Sequence, residues 1–175
     1  FSDDLSEMYE QAKFLSSLGK NVYVKIPITN TKKECTGNLI KKLVDEGVKV
    51  NITAIMTLEQ LQNIKKYLNK DTPTVLSVFA GRIADTGIDP LPVMIEAVSM
   101  FKECECWEVL WASPREVFNA YQAEDIGCDI ITMTPSLIKK LVLCNKDLTD
   151  FSLETVKMFY TDAEEAGYNI EVGKS

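Results

Sequence analysis

Lys25 stands inside the run Val22-Tyr23-Val24-Lys25-Ile26-Pro27, whose other members ask for burial. An ammonium there is costly unless it is paired, neutralised or led out to solvent. A lysine held dry and neutral is a nucleophile able to form a Schiff base with a carbonyl carbon. A lysine at a strand end that snorkels to water is the plainer reading, and the residue pattern alone leaves both open. Asn51 and Thr53 lie two apart in the next apolar run, so they share one face of a strand. They suit holding hydroxyls or a carbonyl, and equally suit a hydrogen-bonded tie between strands. Ser77 and Phe79 repeat the spacing on a third run, and Arg82 follows its end, where it could anchor an anion or form a surface ion pair.

Elements of a regular kind must position these groups. Strands are expected at residues 22–27, 48–55, 74–79, 107–111 and 129–133, rich in β-branched and apolar side chains as in parallel strands buried on both faces. Helices are expected between them: one capped by Ser2 and ended by Gly19, then 36–45, 57–68, 90–101, a Ser-Pro-initiated helix over 113–124, 137–143 and 153–165. Lys25, Asn51 and Ser77 are successively 26 residues apart, one strand-plus-helix unit each time. Such repeats build an open doubly wound sheet or a closed eight-stranded barrel. No G-x-G-x-x-G and no G-x-x-x-x-G-K-[ST] occurs, which weighs against the nucleotide-binding open sheets. Five strands are too few for a barrel, so the expectation is a partial (β/α)8 TIM barrel covering about strands 4–8, as a single domain over 1–175 with a C-terminal helix at about 149–168.

Composition narrows the function. The 175 residues hold 19 Lys+Arg against 26 Asp+Glu, a formal charge of −7, which argues against nucleic acid as a partner. Histidine is absent, removing histidine bases and most catalytic zinc sites. No apolar run approaches the roughly 18 residues of a membrane span, and the start lacks a signal-peptide pattern, so no membrane partner is expected. The odd set Cys35, Cys104, Cys106, Cys128 and Cys144 is not a disulfide framework. Reduced thiols in a cytoplasmic protein are expected. Cys104-x-Cys106 supplies half a metal site with no second half, so no metal is expected.

Three blocks resemble the transaldolase and fructose-6-phosphate aldolase family: V-K-I-P-I-T around Lys25, N-I-T-A around Asn51 and Thr53, and S-V-F-A-G-R-I from Ser77 to Ile83. The S-P-R-E and G-C-D-I-I-T segments continue the likeness, which covers nearly the whole chain. The resemblance implies class I aldolase chemistry on an eight-stranded barrel, without cofactor or metal. Lys25 would form the Schiff base with a ketose. Thr53 would help position the water for proton transfer, Asn51 would bind substrate hydroxyls, and Arg82 with Ser77 would bind a sugar phosphate. Substrates would be a sugar or sugar phosphate and an aldehyde acceptor. The family's relay carboxylate and its Thr-Asn-Pro block belong to earlier strands that the 175 residues do not match. Residues 109–113 carry no base where the family has a second phosphate ligand, leaving Ser113 as substitute. Phe79 resembles the transferase branch; a tyrosine there would mark the aldolase branch, which releases dihydroxyacetone. A catalytically silent barrel serving as a binding or assembly subunit is the reading from another class. The corresponding C-terminal helix in the family often crosses to a neighbouring subunit, implying a homo-oligomer.

Overall fold

A computed structural model describes residues 2–170. It divides into two compact units, one ending at Ile138 and one starting at Lys139. The first unit carries the sheet. Its strands are β1 (Val24–Pro27), β2 (Val50–Ile55), β3 (Thr74–Val78), β4 (Trp107–Trp111) and β5 (Ile130–Ile131). All pair in parallel, in the order β1-β2-β3-β4-β5. A doubly wound sheet reverses its strand order at a switch point; this one never does, so the five strands form an arc of a (β/α)8 barrel.

The helices are α1 (Leu5–Ser16), α2 (Gly37–Asp45), α3 (Leu58–Lys65), α4 (Ala80–Asp85), α5 (Leu91–Phe101), α6 (Phe118–Asp125), α7 (Pro135–Lys140) and α8 (Leu148–Glu165). One face of the sheet meets the helices. Val24, Ile26, Val50, Ile52, Leu76, Val78, Val109 and Trp111 pack there with Leu39, Ile40, Leu43, Leu61, Ile64, Met94 and Ala97 from α2, α3 and α5. In α2 the apolar positions 39, 40, 43 and 44 recur at helical spacing, so one stripe is buried and Lys41 and Lys42 face water. The opposite, inner face carries a smaller cluster of Val75, Leu110 and Ala112 with Tyr23, Phe79 and Ile130 against it.

Several ends differ from expectation. Asp4, not Ser2, caps α1, its carboxylate accepting from the Ser6 and Glu7 N–H groups at 2.9 Å, while Ser2 accepts from Asp4 N–H. An aspartate oxygen reaches these amides with added favourable charge at the helix start. The Ser-Pro segment does not begin a helix. Ser113 sits at φ 58°, a left-handed conformation, and the Arg115 and Glu116 N–H groups donate to Asn119 Oδ1, delaying α6 to Phe118. The short α4 over 80–85 was not anticipated. Among the described residues no helix is long and apolar enough to cross a membrane.

Glu46 ties α1 to the end of α2, accepting from Tyr9 Oη and Lys13 Nζ, each at 2.8 Å. The Lys13 ammonium, then the Tyr9 hydroxyl, holds the Glu46 carboxyl below its usual range, and Glu46 raises Lys13. A depressed carboxyl gives stability that is present above its unfolded value, about 4.3, and lost as pH falls through the folded value. Amide protection of α1 should therefore drop on acidification below about pH 4. Glu46→Gln should flatten that drop, and an unchanged pH profile in the variant would rule out this tie as its cause.

In the second unit α8 is capped by Asp147, whose carboxylate accepts from the Thr149 and Asp150 N–H groups. That cap starts the helix at Leu148, one residue before the C-terminal helix expected from about 149 and five before the Leu153 of the narrower expectation. Phe151, Val156, Phe159 and Tyr160 on it are exposed.

Candidate active site

Parallel pairing places Lys25 opposite Asn51 and Pro27 opposite Thr53. Paired residues of neighbouring strands face the same way, so Lys25, Asn51 and Thr53 all project from the inner face about one strand spacing apart. Ser77 joins them from β3: only 2% exposed, its hydroxyl donates to Asn51 Oδ1 at 2.7 Å. This bond holds the orientation of the Asn51 carboxamide. Pairing of β2 with β3 shifts between Ile52 and Ile55, and Ala54 within that shift takes φ 63°, a conformation alanine seldom adopts. The bulge follows Thr53, whose Oγ1 is buried with no hydrogen-bond partner. A buried hydroxyl without a partner costs about 1–3 kcal/mol, and a bound polar molecule would recover it.

Lys25 corrects the dry-pocket expectation. Its neighbours Val24 and Ile26 are buried at 3% and 4%, but Lys25 itself is exposed and has no ion-pair or hydrogen-bond partner among the described residues. Alternation explains both facts: the flanking residues face the helices, and Lys25 faces the inner side, which five strands leave open. It lines a groove of about 540 Å³ with Pro27, Thr53, Ala54 and Phe79 on one side and Met8, Ala12 and Leu15 of α1 on the other. The groove runs along the unpaired edge of β1.

Phe79 ends β3, half-buried, and the Arg82 guanidinium carbon lies 5.4 Å from its ring centroid. Arg82 is exposed, with no carboxylate partner among the described residues. Ser113 is brought close by a tight approach: a Cβ on Gly81 would lie 1.5 Å from the Ser113 carbonyl oxygen. Gly81 N–H donates to the adjoining Ala112 carbonyl at 3.2 Å. The same approach brings in Arg115, which the sequence reading passed over. Its Nε lies 3.3 Å from that Cβ position, and its guanidinium pairs with Asp85 at the end of α4. The signal was present as Ser-Pro-Arg, two residues past the segment considered. Arg82, Ser113 and Arg115 thus gather at the C-terminal ends of β3 and β4, where barrel enzymes bind substrates. Among the described residues no group of three His, Cys, Asp or Glu side chains could hold a metal ion.

A parallel barrel arc presenting an amine, a carboxamide and a hydroxyl inward, with Arg82 just past the end of β3, is the architecture of a (β/α)8 barrel enzyme. The chain belongs to the family described as Transaldolase/Fructose-6-phosphate aldolase, whose profile matches residues 1–172. It is 33% identical over 169 residues to a probable transaldolase of Chelativorans sp. (strain BNC1), covering 95% of this chain and 71% of that protein. A probable transaldolase of Thermoanaerobacter sp. (strain X514) is 30% identical over 170 residues, covering 97% and 73%. One from Cereibacter sphaeroides (strain ATCC 17025 / ATH 2.4.3) is 33% identical over 166 residues, covering 94% and 69%. The family is one of aldolase-type enzymes.

Proposed function

We propose that this chain carries transaldolase-like class I aldolase chemistry, transferring a dihydroxyacetone unit between sugars or sugar phosphates through a Schiff base on Lys25. The observation that carries the reading is the register of Lys25 with Asn51, which stands a free amine beside an oriented carboxamide on the inner face. The Lys25 amine, once it has given up its proton, adds to the C2 carbonyl of a ketose, and loss of water gives an iminium. The iminium accepts the electron pair of the C3–C4 bond as a base takes the C4 hydroxyl proton, an aldehyde leaves, and an enamine remains on Lys25. A second aldehyde then accepts the enamine carbon, and hydrolysis frees the amine. Asn51 holds substrate hydroxyls, and the unpartnered Thr53 hydroxyl is suited to hold the proton-transfer water. Phe79 puts an apolar ring near the groove, where the enamine is better kept from water; this supports transfer over release of dihydroxyacetone.

Borohydride reduction in the presence of a ketose, followed by mass spectrometry, tests the reading. A covalent adduct on Lys25 is the expected product, and no adduct at saturating ketose would end it. Product formed without acceptor aldehyde would move the assignment to the lyase. The absence of a base from residues 109–113 favours a second reading, a catalytically silent barrel that binds or assembles, and that reading expects no adduct.

Arg82, with Ser77 supporting the strand before it and Ser113 on the turn that meets Gly81, is the phosphate anchor of the proposal. A charged hydrogen bond to phosphate is worth about 1.5–3 kcal/mol, so Arg82→Ala should weaken phosphorylated ketoses roughly 10- to 100-fold. Unphosphorylated ketoses should be little affected. Equal losses on both substrates would remove the phosphate role.

A further inference from the structure

At the opposite end of the sheet from the groove, Cys104 and Cys106 precede β4 with their sulfur atoms 2.6 Å apart. Both thiols are half-buried and both donate to one acceptor, the Lys70 carbonyl oxygen, Cys106 at 3.3 Å and Cys104 at 3.7 Å. The backbone around them is fixed. Thr74 N–H donates to the Cys106 carbonyl at 2.8 Å, Trp107 N–H to the Cys104 carbonyl at 3.1 Å, and the Trp107 indole N–H to the Asn69 carbonyl at 2.9 Å. The turn therefore holds two thiols face to face over a carbonyl that can accept from each but demands neither.

We propose that Cys104 and Cys106 form a reversible intrachain disulfide, making the base of β4 a thiol-modification site responsive to low-molecular-weight disulfides. A disulfide has its sulfurs at about 2.05 Å, so small side-chain rotations closing about half an ångström complete the bond. In the exchange, the thiolate of one cysteine attacks a sulfur of the small disulfide, whose S–S bond breaks and releases one thiol. The second cysteine then attacks the protein-bound sulfur, forms the Cys104–Cys106 bond and expels the second thiol. Two electrons pass from the cysteine sulfurs to the small disulfide, and the two protons end on the released thiols. Burial, then the Cys104 contact, pushes the Cys106 thiol up to about 11, so Cys106 rests as the thiol. That state slows attack at neutral pH without opposing the product, because the disulfide carries no proton or charge. Among the described residues the other three cysteines have no such neighbour: Cys128 donates to the Val109 and Ile130 carbonyls, Cys35 Sγ accepts from Gly37 N–H, and neither Cys35 nor Cys144 lies against another sulfur.

The test incubates the intact chain with glutathione at a series of oxidised-to-reduced ratios, blocks free thiols at low pH, and maps the products by mass spectrometry. The expected result is one species lacking two hydrogens on the peptide that holds Cys104 and Cys106, with Cys35, Cys128 and Cys144 blocked as thiols. Dithiothreitol should return it fully to the dithiol. In Cys104→Ser and Cys106→Ser the internal bond is lost, and a glutathione adduct on the remaining cysteine replaces it. Both cysteines recovered as thiols at every ratio would overturn the proposal. So would glutathione adducts on both in the unaltered chain, or a disulfide joining two chains. The unaltered chain alone gives these answers should a variant fail to fold.

Discussion

Lys25→Ala leaves no borohydride-trapped ketose adduct, and any transfer activity falls by roughly six orders of magnitude, the scale seen when a covalent nucleophile is removed. The loss is chemical, not structural. Lys25 projects from the exposed inner face with no hydrogen bond or ion pair, while Val24 and Ile26 beside it supply the packing. A substitution at such a position changes folding stability by no more than about 0.5 kcal/mol. Lys25→Met keeps the aliphatic stem and should match the alanine variant in both respects. Trapping an adduct of undiminished yield in either variant would hand the chemistry to another amine and dissolve the role given to Asn51.

Gly81→Ala is the substitution with the largest expected effect on folding. The added methyl would meet the Ser113 carbonyl oxygen at 1.5 Å and its carbonyl carbon at 2.6 Å. Both are backbone atoms, so relief requires moving the start of α4 or the turn after β4. Ala112, next to Ser113, is held by main-chain bonds, its N–H donating to Val78 and its carbonyl accepting from Gly81 N–H. Clashes of this kind cost more than the 1–3 kcal/mol of ordinary core overpacking, and about 4 kcal/mol is expected here. Urea unfolding should show the shift as a lower midpoint at unchanged slope. A midpoint within error of the parent would mean that the two turns part freely, and the grouping of Arg82 with Ser113 and Arg115 would lose its basis.

Gly37 sets a useful contrast. A Cβ there would meet the Tyr67 ring at 2.3 Å, but a ring on a half-buried side chain has somewhere to go. The difference between the two glycines lies in what they touch and not in their own conformation.

Much of this architecture was written in the chain. The β-branched runs located all five strands, and β4 matched its expected bounds of 107–111, because Trp-Glu-Val-Leu-Trp has no competing helical period. The outer strands frayed. Residues 22–27 shortened to Val24–Pro27 and 129–133 to Ile130–Ile131, since pairing ends wherever no neighbouring strand supplies donors and acceptors. The 26-residue spacing from Lys25 through Asn51 to Ser77 fixed which polar groups would share a face, and the parallel pairing of β1 with β2 put Lys25 level with Asn51.

Other features required the fold. Local preference favoured a helix at Ser-Pro, yet Ser113 takes a left-handed conformation because its carbonyl must pass over Gly81, a contact between positions 32 residues apart. The same turn carries Arg115, which lay inside the expected helix over 113–124, beside α4. Sequence determined the strands, the parallel order and the identity of the inward amine, carboxamide and hydroxyl, because alternation and spacing are local properties of a chain. Only the tertiary structure decided that Ser77 fixes the Asn51 carboxamide, that Thr53 has an unanswered hydroxyl, and that Arg115 pairs with Asp85 beside the Gly81–Ser113 approach. Those outcomes depend on which surfaces find a partner, and no window of neighbouring residues contains that information.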